Sequence, residues 1–256
     1  MKSYKYYVVG TGGTGSYLVD HLGRMFGSYG EFSSTYRSIG LVDADTVSQS
    51  NIMRQRFHRR DVGKAKTAVL ETRLRMFSEV SRIDCHNTYM TQELMKKLLE
   101  QDSHPKCFIS CVDNNTSRNR ILTVLKPDTA VNQSPYLNWL YIDSGNTAYD
   151  GWTSMLVSDD NGVITGVDMR NQDGAMRANE NNDAPIISGQ GCGRRSAPYQ
   201  TATANQRNAD LIAAQLTSHL KSGRSFGLIG WTVPNMESEE WASTTYETAH
   251  LCPINT

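Results

Sequence analysis

Residues 4–26 read YKYYVVGTGGTGSYLVDHLGRMF, and this stretch decides the fold. Residues 4–9 are crowded with aromatic and β-branched side chains, the composition of a strand. Tyr17, Leu18, His21, Leu22 and Met25 then recur at helical spacing. Between strand and helix stand Gly10, Gly12, Gly13 and Gly15, a GxGGxG pattern. Glycines there allow a tight turn and let backbone amides approach a phosphate at the helix N-terminus. The pattern alone fits a dinucleotide site, or a tight turn that binds nothing.

Working outward, strands and helices alternate. A second strand is expected over about 37–42. A helix follows in DVGKAKTAVLETRLRMF, with Asp61 as N-cap and Val62, Ala65, Val69 and Leu74 among its apolar positions. EVSRIDCHN reads as a third strand, TQELMKKLLEQ as a helix, and KCFISCV as the short apolar run of a buried parallel strand. NTSRNRILTVL is the next helix. This alternation implies an α/β fold, a Rossmann-like doubly wound and mostly parallel sheet. From about residue 139 the texture changes. WLYIDSG and GWTSMLVS are strands with no helix between them, an antiparallel extension of the sheet. Residues 158–198 are rich in Asn, Asp and Gly and read as a long mobile crossover loop. A long helix in YQTATANQRNADLIAAQLTSHL and late strands in SFGLIGWTV and TTYETAHLC complete one domain, residues 1–256.

A second motif, LVDADTVSQSNIMRQRF at 41–57, places two acids and then a cationic cluster directly after a strand. Asp43 follows Gly15 by 28 residues (43 − 15), where a carboxylate can accept ribose hydroxyls. That fits NAD as well as ATP. Arg54, Gln55 and Lys66 have no task at a diphosphate that a glycine turn already holds, whereas a triphosphate needs fixed cations. The bland reading of RQRFHRR is a solvated basic turn or a nucleic-acid patch. Asp113 ends the strand KCFISCV at the edge where open α/β sheets bind ligands. A carboxylate facing phosphates there calls for Mg²⁺ between them. Asn114, or Asp113 itself, can also cap the following helix.

The bulk composition narrows the class. Among 256 residues, 26 basic and 26 acidic side chains give zero net charge, so nothing global favours nucleic acid or an anionic membrane. No apolar run spans a bilayer, and MKSYKYYVVG is a strand rather than a signal peptide. The five cysteines contain no CxxC pair, which argues against disulfide frameworks and structural zinc and for a cytoplasmic protein.

Together GTGGTGS, VDADTVSQSNIMRQRF, DVGKAK and VDNNTSRN resemble the four motifs of the ThiF/MoeB/ubiquitin-activating-enzyme superfamily. The resemblance is strong over about 6–125 and weak over about 190–221. The long gap between the first two motifs resembles the stand-alone ThiF-like proteins of bacterial PRTRC-type operons, which also carry ubiquitin-like and deconjugating-enzyme-like neighbours. The resemblance implies ATP-dependent adenylation of the C-terminal carboxylate of a ubiquitin-like or sulfur-carrier-like protein. Residues 1–138 would form the nucleotide half and 139–256 the carrier-binding half. Asp43, with Asp45 beside it, would hold the ribose. Asn51, Arg54, Gln55 and Lys66 would grip phosphates, and Asp113 would hold Mg²⁺. A homodimer and a conjugating-enzyme-like protein are the further partners it implies.

Three features depart from that family. The arginine that many relatives carry in an RYxRQ-like segment before the first strand is missing, as are the paired CxxC motifs that bind zinc and an appended ubiquitin-fold domain. Cys192, in GQGCGRRSAPYQ, matches the place where relatives carry a thioester-forming cysteine. Its flanking glycines leave the thiol accessible, and Arg194 and Arg195 favour the thiolate. The competing readings are a non-catalytic partner subunit of a heterodimeric activating enzyme and an NAD-binding oxidoreductase.

Overall fold

The computed structural model describes residues 4–27, 38–146, 150–171, 201–223 and 227–232. The first half alternates as expected: β1 (Lys5–Val9), α1 (Gly13–Gly27), β2 (Ser38–Val42), α2 (Lys66–Phe77), β3 (Arg82–His86), α3 (Gln92–Glu100), β4 (Lys106–Ser110), α4 (Asn115–Leu125) and β5 (Trp139–Asn146). Then follow β6 (Asp150–Ser158), β7 (Ile164–Gly166), α5 (Ala202–Ser222) and β8 (Leu228–Thr232). The sheet runs β3-β2-β1-β4-β5-β6-β7, with β8 also paired to β6. The first five strands are mutually parallel, and β6 runs against its neighbours.

The apolar runs of the central strands follow from burial on both faces. Tyr6, Val8, Ile39, Leu41, Ile109 and Ile142 face a core closed by α1, α2 and α5. The alternate residues Tyr7, Val9, Val42, Phe108 and Tyr141 face a second core closed by α3 and α4. Strand order reverses between β1 and β4, since the chain builds outward to β3 and then returns to add β4 and β5. Crevices at the carboxyl ends of such strands are where open α/β sheets hold ligands.

Several expectations need correction. The second helix starts at Lys66 with Ala65 at its N-cap. Asp61 instead closes a 3₁₀ turn, its carboxylate accepting from the His58 N–H at 2.9 Å. Val62 precedes the helix and is exposed. The cause is Gly63, at φ +86°, whose N–H bonds the Val47 carbonyl. That hairpin-like contact, continued by a Thr46–Ala65 bridge, delays the helix until Lys66 has been brought beside Asp45.

The expected loop 158–198 is partly regular. Residues 158–166 form a β6–β7 hairpin. The Asp159 carboxylate accepts from the N–H groups of Asn161 and Val163, both at 2.8 Å, and Gly162 takes φ +77°. This is turn chemistry that Asp and Gly perform well, concealed in a stretch that composition alone labels loop. Asp168 then pairs with Arg170 at 2.7 Å and Lys126 at 3.5 Å. The remainder of that loop, with Cys192, and the expected strand TTYETAHLC lie outside the described residues.

Candidate functional site

The turn after β1 is set by Gly10, at φ +84°, a conformation that side chains with a Cβ rarely adopt. Its N–H bonds the Val42 carbonyl, joining the ends of β1 and β2. Asp43 then fastens the turn. Its Oδ2 accepts from the Thr11 N–H at 2.7 Å and the Thr11 hydroxyl at 2.9 Å, and its Oδ1 accepts from the Asp45 N–H at 2.8 Å. A carboxylate offers about four lone-pair sites, so Oδ1 retains acceptor capacity after these three bonds.

Lys66 is 5% exposed, in the buried first turn of α2. Its ammonium donates to Asp45 Oδ2 at 2.8 Å, and Tyr89 reaches Asp45 Oδ1 at 3.3 Å. A Cβ placed on Gly12 would meet Gln55 Nε2 at 3.5 Å and Lys66 Nζ at 3.8 Å. The bare backbone of the turn thus faces an amide donor and an ammonium.

Asn51 organises the cationic loop. Its side chain accepts from the Ser48 N–H at 2.8 Å, and its carbonyl takes the N–H groups of Arg54 and Gln55. Val47 and Phe57 anchor that loop in the core. Arg54 and Gln55 are buried, and Gln55 Oε1 has no hydrogen-bond partner among the described residues. The basic run divides here: Arg56 turns away to pair with Asp20 over the Tyr17 ring, while Arg59 and Arg60 are exposed.

Asp113 is exposed just past β4. The two loops abut, since a Cβ on Gly10 would meet the Cys111 carbonyl oxygen at 2.9 Å. Asn114 caps α4, accepting from the Ser117 N–H at 2.8 Å. No cluster of three or more metal-ligating side chains occurs among the described residues. A magnesium ion held by Asp113 would therefore complete its shell with phosphate oxygens and water, as that ion commonly does.

Sequence reasoning missed two groups. Arg118 is buried beneath the Asp113 loop. It donates to Asp143 Oδ1 at 3.1 Å, Asn115 Oδ1 at 3.2 Å, the Val112 carbonyl at 2.6 Å and the Ser144 carbonyl at 2.7 Å. Burial pushes the Asp143 carboxyl up, and Arg118 opposes that shift. Asn205 of α5 is the second, joined to the Arg54 carbonyl and to Asn146. Arg118 lies inside the VDNNTSRN motif but was given no role there, and Asn205 belongs to none of the four motifs. The thiols among the described residues are poor nucleophiles: burial pushes Cys111 up to about 12 and Cys107 well above its ordinary value. Cys85, partly buried on the edge strand β3, also rises to about 12, through burial and then through Glu71.

The ThiF family profile matches residues 1–210. The chain belongs to the ThiF family. Solved structures share the fold. Escherichia coli MccB with ATP aligns at TM-score 0.60 and 19% identity, over 96% of this chain and 64% of that one. MccB with AMPCPP and MccA aligns at 0.60 and 19%, over 99% and 66%. PaaA aligns at 0.60 and 16%, over 91% and 62%. The chain therefore spans less than two thirds of the length of these proteins, and the likeness shows the fold alone. None of the curated proteins compared with it matches. No helix among the described residues is long and apolar enough to cross a membrane.

Proposed function

We propose that the protein uses ATP–Mg²⁺ to adenylate the C-terminal carboxylate of a peptide or small protein. The observation that carries this reading is the pair of donors, Lys66 Nζ and Gln55 Nε2, facing the bare Gly12 backbone beside a turn locked by Asp43. Membership of the ThiF family and the likeness to MccB, which has been crystallised with ATP, support it.

In this reading the remaining lone pairs of Asp43 Oδ1 accept from ribose. Lys66, Arg54, Gln55 and Asn51 hold phosphate oxygens, and Asp113 holds magnesium, which supplies charge neutralisation between carboxylate and phosphates. A carboxylate oxygen of the carrier attacks the α-phosphorus, the bond to the β-phosphate bridge breaks, and pyrophosphate departs with the charge it gains. Fixed cations favour this step because they need no reorganisation as that charge develops. Lys66 would exchange its ion pair with Asp45 for phosphate.

The finer terms rest on the resemblance: a ubiquitin-like or sulfur-carrier-like carrier, a homodimer, handover to a conjugating-enzyme-like protein, and a thioester formed when the Cys192 thiolate displaces AMP. Calorimetry with ATP–Mg²⁺ and with NAD tests the core reading. ATP–Mg²⁺ should bind, Asp113→Ala should lose magnesium-dependent affinity without losing stability, and NAD should not bind. Binding of NAD alone would overturn the reading. A thiol-sensitive carrier adduct that persists in Cys192→Ala would remove the thioester step while leaving adenylation intact.

A further inference from the structure

Three segments far apart in sequence meet at one side chain in the first turns of α5. Asn205 is completely buried. Its Nδ2 donates to the Arg54 carbonyl at 2.9 Å, and its Oδ1 accepts from Asn146 Nδ2 at 3.0 Å. Asn146 Oδ1 in turn accepts from the Thr14 hydroxyl at 3.1 Å. The cationic loop, the end of β5 and the glycine turn are thus tied into one polar chain. A helix packed here could have used an apolar residue, except that the buried Arg54 carbonyl would then be left without a donor.

The steric fit is equally specific. A Cβ added to Gly13 would lie 2.6 Å from Asn205 Oδ1, so the amide occupies the space that the missing side chain leaves. Thr201 fixes the helix start by accepting from the Ala204 N–H at 3.1 Å. One turn along, Asn208 donates to the Gly145 carbonyl and accepts from the Trp231 indole, which holds α5 against β5 and β8. The α5 backbone is therefore rigidly seated, and Asn205 transmits that seating to Arg54.

We propose that Asn205 is a positioning residue for the nucleotide site: it fixes the main chain at Arg54, and hence the Arg54 and Gln55 side chains, in register with the Gly12–Gly13 turn. The inference rests on the ATP-binding reading above. It makes the seating of α5 against α1 and the sheet part of the geometry that holds phosphates.

The test is a double-mutant cycle between Asn205→Ala and Arg54→Ala, read by calorimetry with ATP–Mg²⁺ and with AMP. Arg54→Ala keeps the carbonyl that Asn205 bonds but removes the side chain it positions. Asn205→Ala alone should weaken ATP binding about tenfold, on the scale of one well-placed hydrogen bond. AMP affinity should change less, because AMP lacks the outer phosphates. In the Arg54→Ala background the Asn205→Ala effect on ATP should shrink to the part that acts through Gln55, since coupled residues are non-additive. Asn205→Ser, which retains a hydroxyl donor, should recover part of the loss and serves in the cycle if the alanine variant does not fold. Additive losses, or equal losses for ATP and AMP, would reduce Asn205 to a packing role and overturn the proposal. A wild-type protein that binds no ATP would overturn the functional reading itself, whereas wild-type binding with no effect at Asn205 overturns only this inference.

Discussion

Two buried lysines sit at opposite edges of the same sheet, and their surroundings differ in kind. Lys5, at the start of β1, is fully buried; its ammonium donates to Gln101 at 2.9 Å and lies 3.7 Å from both Asp84 and Asp102. Its register partner Lys106 on β4 is closed in the same way, with the Asp102 carbonyl, the Asp102 carboxylate and the His104 carbonyl at 2.6–2.7 Å. Lys66, at the carboxyl edge, has one carboxylate, Asp45, which is itself 32% exposed, and beyond it the bare Gly12 turn. Burial of a cation therefore says little by itself. A cation enclosed by protein acceptors holds the framework together; one that faces an empty stretch of backbone is placed for an incoming anion.

Arg118 sharpens this contrast because it lies at the ligand edge yet is closed on all sides. It should behave as framework. Arg118→Met leaves Asp143 buried without its cation, and breaking such a pair typically destabilises by about 3–5 kcal/mol. Urea unfolding should register a larger loss of stability for it than for Lys66→Ala or Lys5→Met. Next in size is Lys66→Ala, which should slow ATP–pyrophosphate exchange at least a hundredfold, on the scale of about 3 kcal/mol of barrier. Its melting temperature should move little. Lys5→Met should do the reverse, lowering stability by about 1–3 kcal/mol through stranded acceptors while leaving ATP affinity intact. If Lys5→Met instead weakened ATP binding as much as Lys66→Ala, the distinction between closed and open cations would fail.

The smallest effect concerns the thiols. Native Cys85 and Cys111 titrate near 12 against an ordinary 9, so both stay protonated at neutral pH. Alkylation followed by mass spectrometry should leave Cys85, Cys107 and Cys111 unlabelled at neutral pH. A thiol raised this way favours the folded state less as pH climbs, because the unfolded chain ionises first. Stability should accordingly fall between about pH 9 and pH 12.

Much of this was legible in the sequence where local chemistry is decisive. Helix α4 spans Asn115–Leu125, as read, because Asn114 is a strong cap and the apolar spacing after it is regular. The glycine turn and the strand before it were equally plain. Asn205 and Asn208 were not, because polar residues in a helix normally mark its wet face, whereas here they reach main-chain and side-chain partners about 60 and 150 positions away. Arg118 stood in the quoted VDNNTSRN motif, yet its burial was hidden for the same reason. The burial of Lys66 was not legible either, since Gly63 redirects the chain in a way that spacing does not reveal.

Met155 is where two flanking strands meet on one side of β6: its N–H bonds the Gly227 carbonyl ahead of β8, and its carbonyl accepts from the Val167 N–H just after β7. The chain thus departs from β6 along one half of its edge and comes back along the other. Residues up to 171 and residues from 201 onward each grip that strand by independent ladders, and α5 is further clasped against α1. A single break in the polypeptide between 172 and 200 would leave both ladders and the α1–α5 packing of the described residues uncut. Two such pieces, expressed separately and mixed, should reassemble through those ladders.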